Sequence, residues 1–336
     1  MVKKPDSPQL LATFLDVGQG DATAILLPDG SGILVDCAAG SAPIVLDHLE
    51  QAKVNRLEVV IISHSDLDHA GDMVTVLNSF QGTTKRLAVL PDRVRTADPQ
   101  ADRMFKVLLR DLAQLIRRGV EPVTPYAGEV LQLSDVTISV LHPSEADHLE
   151  ALAQNSTNDS SVVVMLEYLG IRILLSGDAG RLSWQWMIDR KTDLKADIFK
   201  FPHHGGWYNG APSLDDVLAQ VNPSFAVISV GSSNGYAHPS KETFRALRSR
   251  GASFRFVCTQ ATAQCHRELQ VAAGLARNLL LPENQGGHSY HNDHTCPCAG
   301  SVTVRISSEG ATISPSTEQH NKVIKLFESP QCREAG

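Results

Sequence analysis

Residues 63–72 read SHSDLDHAGD, which sets His64, Asp66, Asp68 and His69 in the spacing HxDxDH directly behind the apolar run VVII. Imidazoles and carboxylates are ligands for divalent cations, and two carboxylates this close repel unless a cation sits between them. A single HxD ahead of AGDMVTVLNSF would read as a helix cap, because Asp and Ser are ordinary N-cap residues. The full HxDxDH behind a buried strand is not explained that way and points to a metal centre. Downstream, RILLSGDAG sets Asp178 behind another apolar run, FKFPHHGG sets His203 and His204 behind the next, and ISVGSSNGYAHPS brings His238 behind the one after. Alone, each reads as a surface or hydrogen-bonded residue. Four strand ends that all deliver His or Asp read as one assembled site, because ligands gather at the carboxyl ends of strands in α/β folds.

The elements that must position these residues follow from periodicity. LATFLDVG, TAILLPDG and GILVDCA are strand-like runs closed by Gly, Pro or Asp, APIVLDHLEQAK has helical spacing, and RLEVVIISH is a buried strand that stops at His64. A second half repeats this layout: VLQLS, VTISVLHP, SVVVMLEYLG and IRILLSGDAG, a Trp-containing helix, ADIFKFPHH, another helix and SFAVISVG. Strands alternate with helices, so the fold class is α/β. After about residue 250 the reading is a loop-rich stretch from FRFVCTQATAQCH onward, then the strand-like SVTVRISS and a polar tail.

The chain has 336 residues, 42% apolar and 20% charged, with a net charge of -7 and a pI near 6.0. That is room for one large domain or two smaller ones. No apolar run reaches the roughly 18 residues of a membrane span. The opening MVKKPDSPQLLATFLDVG is interrupted by Pro, Asp and Ser before a secretory apolar region can form. Six cysteines are too sparse for a disulfide scaffold. The expectation is a cytoplasmic protein with no membrane partner. A polyanion would have to be drawn by a local basic patch. Residues 85–118 supply one: Lys85, Arg86, Arg93, Arg95, Arg103, Lys106, Arg110, Arg117 and Arg118 stand against Asp92, Asp98, Asp102 and Asp111, and ADRMFKVLLRDLAQLIRR forms an amphipathic helix with a basic face. Such a face is either a solvated flank or a phosphate-backbone contact surface.

DVGQGD, SHSDLDHAGD, NSTNDSSVVV, LLSGDAG, FPHHGG and NGYAHPS stand in the order found in the metallo-β-lactamase fold, and the chain resembles the metallo-hydrolase domain of ComEC-type DNA-uptake proteins over roughly residues 10–255. The resemblance implies an αββα sandwich over residues 1–255 with a two-metal site at one edge, followed by a Cys/His-rich extension, residues 256–336, that completes the sheet. It implies that His64 and Asp66 bind one metal, that Asp68 and His69 bind the second, and that Asp178 bridges them. His204 or His238 would complete the second metal, and the one left over, or His203, would protonate the leaving group. Asp21 would support the site by hydrogen-bonding a ligand histidine. Asp66 stands where the family usually has His, and Asn158 stands near a position that the family usually gives to His. An added oxygen ligand leaves Zn²⁺ and Mn²⁺ both open.

A second ligand-rich stretch follows, with Cys258, Cys265, His266, His288, His291, His294, Cys296 and Cys298 within 41 residues. Four of its cysteines, Cys258, Cys265, Cys296 and Cys298, are candidate ligands of a structural Zn²⁺, although C-x6-C and C-x-C are looser spacings than strong zinc motifs. The functional expectation is hydrolysis of a nucleic-acid phosphodiester by water activated between two cations, with Asp68, His203 and His204 in the chemistry and a protein partner as a candidate control. The rival readings are a hydrolase of a small phosphoester, lactone or thioester, and a metal-bound adaptor.

Overall fold

A computed structural model describes residues 8–92, 99–207, 210–251, 253–280 and 295–332. His288, His291, His294, Arg93, Arg95 and Asp98 lie outside the described residues. The strands are β1 Leu10–Phe14, β2 Thr23–Leu26, β3 Gly32–Val35, β4 Leu57–Ile61, β5 Arg86–Ala88, β6 Glu121–Val123, β7 Val130–Leu133, β8 Val136–His142, β9 Val163–Tyr168, β10 Ile171–Leu175, β11 Ile198–Lys200, β12 Phe225–Ile228, β13 Arg255–Cys258, β14 Val302–Ser307 and β15 Gly310–Ser314. The helices are α1 Ala42–Gln51, α2 Leu67–Ala70, α3 Met73–Ser79, α4 Pro99–Arg117, α5 Glu145–Gln154, α6 Arg181–Asp189, α7 Leu214–Val221, α8 Lys241–Ser249, α9 Leu269–Leu280 and α10 Thr317–Ile324. No described helix is long and apolar enough to cross a membrane.

Two sheets carry these strands, in the orders β15-β14-β1-β2-β3-β4-β5-β6 and β13-β12-β11-β10-β9-β8-β7. Residues of both sheets, among them Phe14, Ile33, Val59, Val164, Leu175 and Val227, share one buried core between the layers. Two outer cores join each sheet to its helices: Val60 and Ile62 with Val45, Leu77 and Leu112, and Phe199 and Phe201 with Trp184, Leu218 and Phe244. The architecture is therefore the expected αββα sandwich. Strands β3 to β6 run parallel, as do β10 to β13. Parallel strands covered on both faces read as continuous apolar runs, which is why LEVVI and FAVI show no alternation.

Past residue 255 the strand-like SVTVRISS is β14, paired with β1 at the edge of the first sheet, and the departures from the loop-rich reading are β15, α9 and α10. Helix α9 buries Ala272, Ala273, Ala276 and Leu280. A mostly alanine stripe carries a weak hydropathy signal, so its helical period is easily overlooked.

Candidate metal centre

The ligand-type residues sit at the carboxyl ends of parallel strands: Asp36 after β3, His64 after β4, Asp178 after β10 and His203–His204 after β11. The HxDxDH loop is tied to its neighbours by main-chain bonds, with Asp21 N donating to Asp68 O at 2.8 Å and Cys37 N to His69 O at 2.6 Å. DVGQGD makes the first of these approachable. Gly20 has φ +138, and a Cβ there would lie 2.6 Å from Asp68 O. Gly177 plays the same part before Asp178, since a Cβ would lie 2.8 Å from the Cβ of Ser63. His203 and His204 both have φ 51, a left-handed conformation that is costly for side-chain-bearing residues and typical of functional turns.

The side chains of Asp21, His69, Asp178 and His204 offer ligand atoms within 4.8 Å of one another, and all four residues are buried. His69 Nε2 stands 3.1 Å from Asp178 Oδ1, and His204 Nε2 stands 3.7 Å from Asp178 Oδ2 and 3.4 Å from Asp68 Oδ2. His64 Nε2 stands 3.5 Å from Asp66 Oδ2. Asp66 and Asp68 are the open side, with side chains 37% and 34% exposed.

The opposite ring nitrogens fix the tautomers. His69 Nδ1 lies 2.8 Å from Asp36 Oδ2, and His204 Nδ1 lies 3.0 Å from the Ser229 carbonyl, and both oxygens can only accept. Ser63 Oγ donates to Asp36 Oδ2 at 2.7 Å, which leaves its lone pairs to accept from His64 Nδ1 at 3.1 Å. Each histidine thus holds a proton on Nδ1 and turns its Nε2 toward a carboxylate oxygen. In the three-dimensional arrangement those three Nε2 atoms and Asp178 Oδ1 are buried without a good hydrogen-bond partner. At 3.1–3.7 Å the facing lone pairs repel unless a second proton or a metal cation lies between them. The residues present fit divalent metal.

The charges agree. Burial works to lower the His69 pKa, yet Asp178 and then Asp36 outweigh it and hold it well above the ordinary value. Burial works to raise Asp178, yet His69 and His204 hold it well below the carboxylate range. The pocket favours positive charge, as the surroundings of a cation should.

His238 does not join this cluster. Its ring lies 5.2 Å from that of His203 and 5.7 Å from that of Tyr236, and burial, followed by the nearby His203 and His204, pushes its pKa down to about 4. Of the two candidates left open by sequence, His204 is the one that faces Asp68 and Asp178. Asp21 is placed differently from its expected role. Its Oδ2 pairs with the buried Lys200 Nζ at 2.8 Å and is 3.8 Å from His69 Nδ1, beyond hydrogen-bond reach. Asp36 holds His69 instead. Sequence reasoning missed Asp36, although it follows the apolar run GILV as Asp178 follows ILL. Asn158 sits in the turn beside Asp66, where Thr157 Oγ1 reaches both Asp66 Oδ2 at 3.3 Å and Asn158 Oδ1 at 3.4 Å.

A cavity of about 410 Å³ opens beside Asp66, lined by Ser65 and Leu67 from the ligand loop and by Arg103, Met104, Val107 and Leu108 from α4. The basic segment divides here. Arg103 reaches this cleft, whereas Lys106, Arg110 and Arg117 are exposed and do not line it. The C-terminal ligands also regroup. Cys258 and Cys298 stay together, but Cys296 Sγ turns to the Pro297 carbonyl at 3.9 Å and Cys265 is engaged by Thr262. The partners that replace them, His320 and Cys332, come from the tail.

Residues 15–222 match the family model described as the metallo-beta-lactamase superfamily. The chain is 26% identical over 253 residues to ComE operon protein 3 of Bacillus subtilis, covering 70% of this chain and 30% of that protein. It is 26% identical over 245 residues to recombination protein 2 of Haemophilus influenzae, covering 71% and 26%. It is 24% identical over 243 residues to competence protein ComA of Neisseria gonorrhoeae, covering 71% and 30%. The chain spans less than a third of the length of each of these relatives. The order of motifs, the αββα sandwich and the family match agree: the chain belongs to the metallo-β-lactamase superfamily of metal-dependent hydrolases.

Proposed function

We propose that the chain is a two-metal phosphodiesterase that cleaves nucleic acid. The observation that carries this reading is the pocket in which the Nε2 atoms of His64, His69 and His204 face Asp66, Asp178 and Asp68, while Asp66 and Asp68 remain open to substrate. A pair of divalent cations held there would supply Lewis acidity and a water ionised near neutral pH. His64 and Asp66 would hold one cation and His69, Asp68 and His204 the other, with Asp178 the carboxylate that faces His69 and His204. Asp36, Ser63 and the Ser229 carbonyl keep the three rings turned inward, a positioning role. His203, half-buried and with its ring 5.2 Å from that of His238, would donate a hydrogen bond or a proton to the leaving oxygen, and burial, which pushes its pKa down, favours the neutral imidazole in the hydrogen-bonding role. Such general acids contribute about 10²- to 10⁴-fold in rate. Support for a polymer comes from the competence and recombination relatives and from Arg103 at the cleft.

One observation favours a second reading. Met104 and Val107 are each 40% exposed and Leu67 44%, and together they make the cavity wall beside Asp66 largely apolar. That wall suits the apolar part of a small phosphoester, lactone or thioester.

The test is hydrolysis of single- and double-stranded DNA and RNA, beside a small chromogenic phosphodiester and a thioester, by metal-stripped protein refilled with Mn²⁺, Mg²⁺ or Zn²⁺. Metal-restored cleavage of a nucleic acid that Asp178→Ala lacks is the expected result, and the refilling series names the ion. Turnover of the small esters alone, with metal bound and every nucleic acid intact, would overturn it in favour of the second reading.

A further inference from the structure

Cys298 Sγ stands 3.3 Å from His320 Nε2 and 3.9 Å from Cys332 Sγ, and these three ligand atoms lie within 4.8 Å of one another. The Cys258 thiol, at the end of β13, interacts with the same Cys332 sulfur from beside this group. All four residues are buried, none more than 3% exposed. They come from four places in the chain: the end of β13, the turn before β14, helix α10 and the final described residue. None of them belongs to the hydrolytic pocket.

We propose that Cys258, Cys298, Cys332 and His320 hold a structural zinc ion. Three thiols and an imidazole are a soft ligand set of the Cys₃His type. Tetrahedral zinc, with Zn–S about 2.3 Å and Zn–N about 2.0 Å, keeps its ligand atoms roughly 3.5 to 3.8 Å apart. The observed 3.3 and 3.9 Å among Cys298, His320 and Cys332 bracket that spacing. A disulfide needs its sulfurs at about 2.05 Å, and all six cysteines are free. A thiol is a weak donor, so three of them and an imidazole gathered on one buried point gain little from hydrogen bonding alone.

The ion would act by closing the fold. His320 and Cys332 flank the segment that buries Val323, Ile324 and Phe327 in the helix-covered core of the second sheet. Zinc joining them to Cys258 and Cys298 clamps the tail to the end of β13, and the free energy of binding becomes free energy of folding.

The experiment is to grow the full chain in Co²⁺ and record its absorption. The hydrolytic pocket offers only nitrogen and oxygen ligands, so thiolate-to-cobalt charge transfer in the near ultraviolet reports this cluster alone. The band is expected in the wild type, lost in Cys332→Ser, and kept in altered form in His320→Cys. Zinc-grown Asp178→Ala should show sulfur scatterers at about 2.3 Å by X-ray absorption. If Cys332→Ser does not fold, the wild-type spectrum decides by itself. A wild-type protein with no thiolate band, whose thiols all titrate freely or are partly lost to a disulfide, overturns the proposal.

Discussion

The two ligand clusters of this molecule are built on opposite plans. In the hydrolytic pocket four ligand-type residues lie within six positions and later strand ends add Asp178 and His204, the donors are nitrogen and oxygen, and two carboxylates stand about a third exposed. In the C-terminal cluster the four residues span positions 258 to 332, the donors are mostly sulfur, and every one is buried. An open site keeps coordination positions for water and substrate, and a closed one spends them all on protein. The difference teaches that one fold can separate chemistry from stapling by donor type and access, with no residue shared.

The sharpest way to break this contrast is Asp178→Ala. It removes the carboxylate that faces both His69 and His204. Metal-dependent hydrolysis should vanish and the pocket should lose metal, while the thiolate cluster keeps its own ion. Metal analysis beside activity checks this, and loss of sulfur-bound metal in the same variant would show that the clusters are not independent.

The next effect in size tests how the open site is held. Asp36→Ala removes the acceptor for His69 Nδ1 and the partner of both Ser63 N and Ser63 Oγ. Freeing the ring should cost about 10- to 100-fold in metal affinity or activity, the usual cost of losing such a partner. Asp36→Asn should cost less than Asp36→Ala, because its amide oxygen still accepts from Nδ1–H and Asn tolerates the φ of 60 at this position, although its amide nitrogen cannot accept from Ser63 N as Oδ1 does. Metal titrations on the three proteins measure the order. Equal losses in both variants would mean that the carboxylate charge, and not ring orientation, is what matters.

The same contrast explains what could be read from the chain. HxDxDH was legible because its ligands are contiguous and follow an apolar strand, and Asp178 because it repeats that grammar. Asp36 obeys the rule equally, behind GILV, but in GILVDCA it reads as the residue that closes the strand. His320 and Cys332 had no such signal. They lie in a polar tail, 22 and 34 residues beyond Cys298, and only the packing of α10 brings them back. Proximity in sequence groups Cys265 and Cys296 with Cys258 and Cys298, whereas the thiol and imidazole that stand against Cys298 are those of Cys332 and His320. The sandwich was legible from buried parallel strands, whereas α9 and β15 were not, one built on an alanine stripe and the other a half-exposed edge.

The smallest effect bears on what enters the open site. Arg103 is the one basic residue of α4 that lines the cleft beside Asp66, and it is exposed there among Met104, Val107 and Leu108. Exposed charge is screened, so Arg103→Ala should weaken nucleic-acid binding only a few-fold. The informative quantity is the salt dependence. A lost phosphate contact lowers the slope of log K against log salt by about one, and should do so for any sequence. A small apolar ester has no row of phosphates, so its KM would ignore Arg103 and respond instead to Val107→Glu, which puts charge on the apolar wall. Measuring both variants against both substrates across salt separates the readings, since each predicts one sensitive row and one flat one.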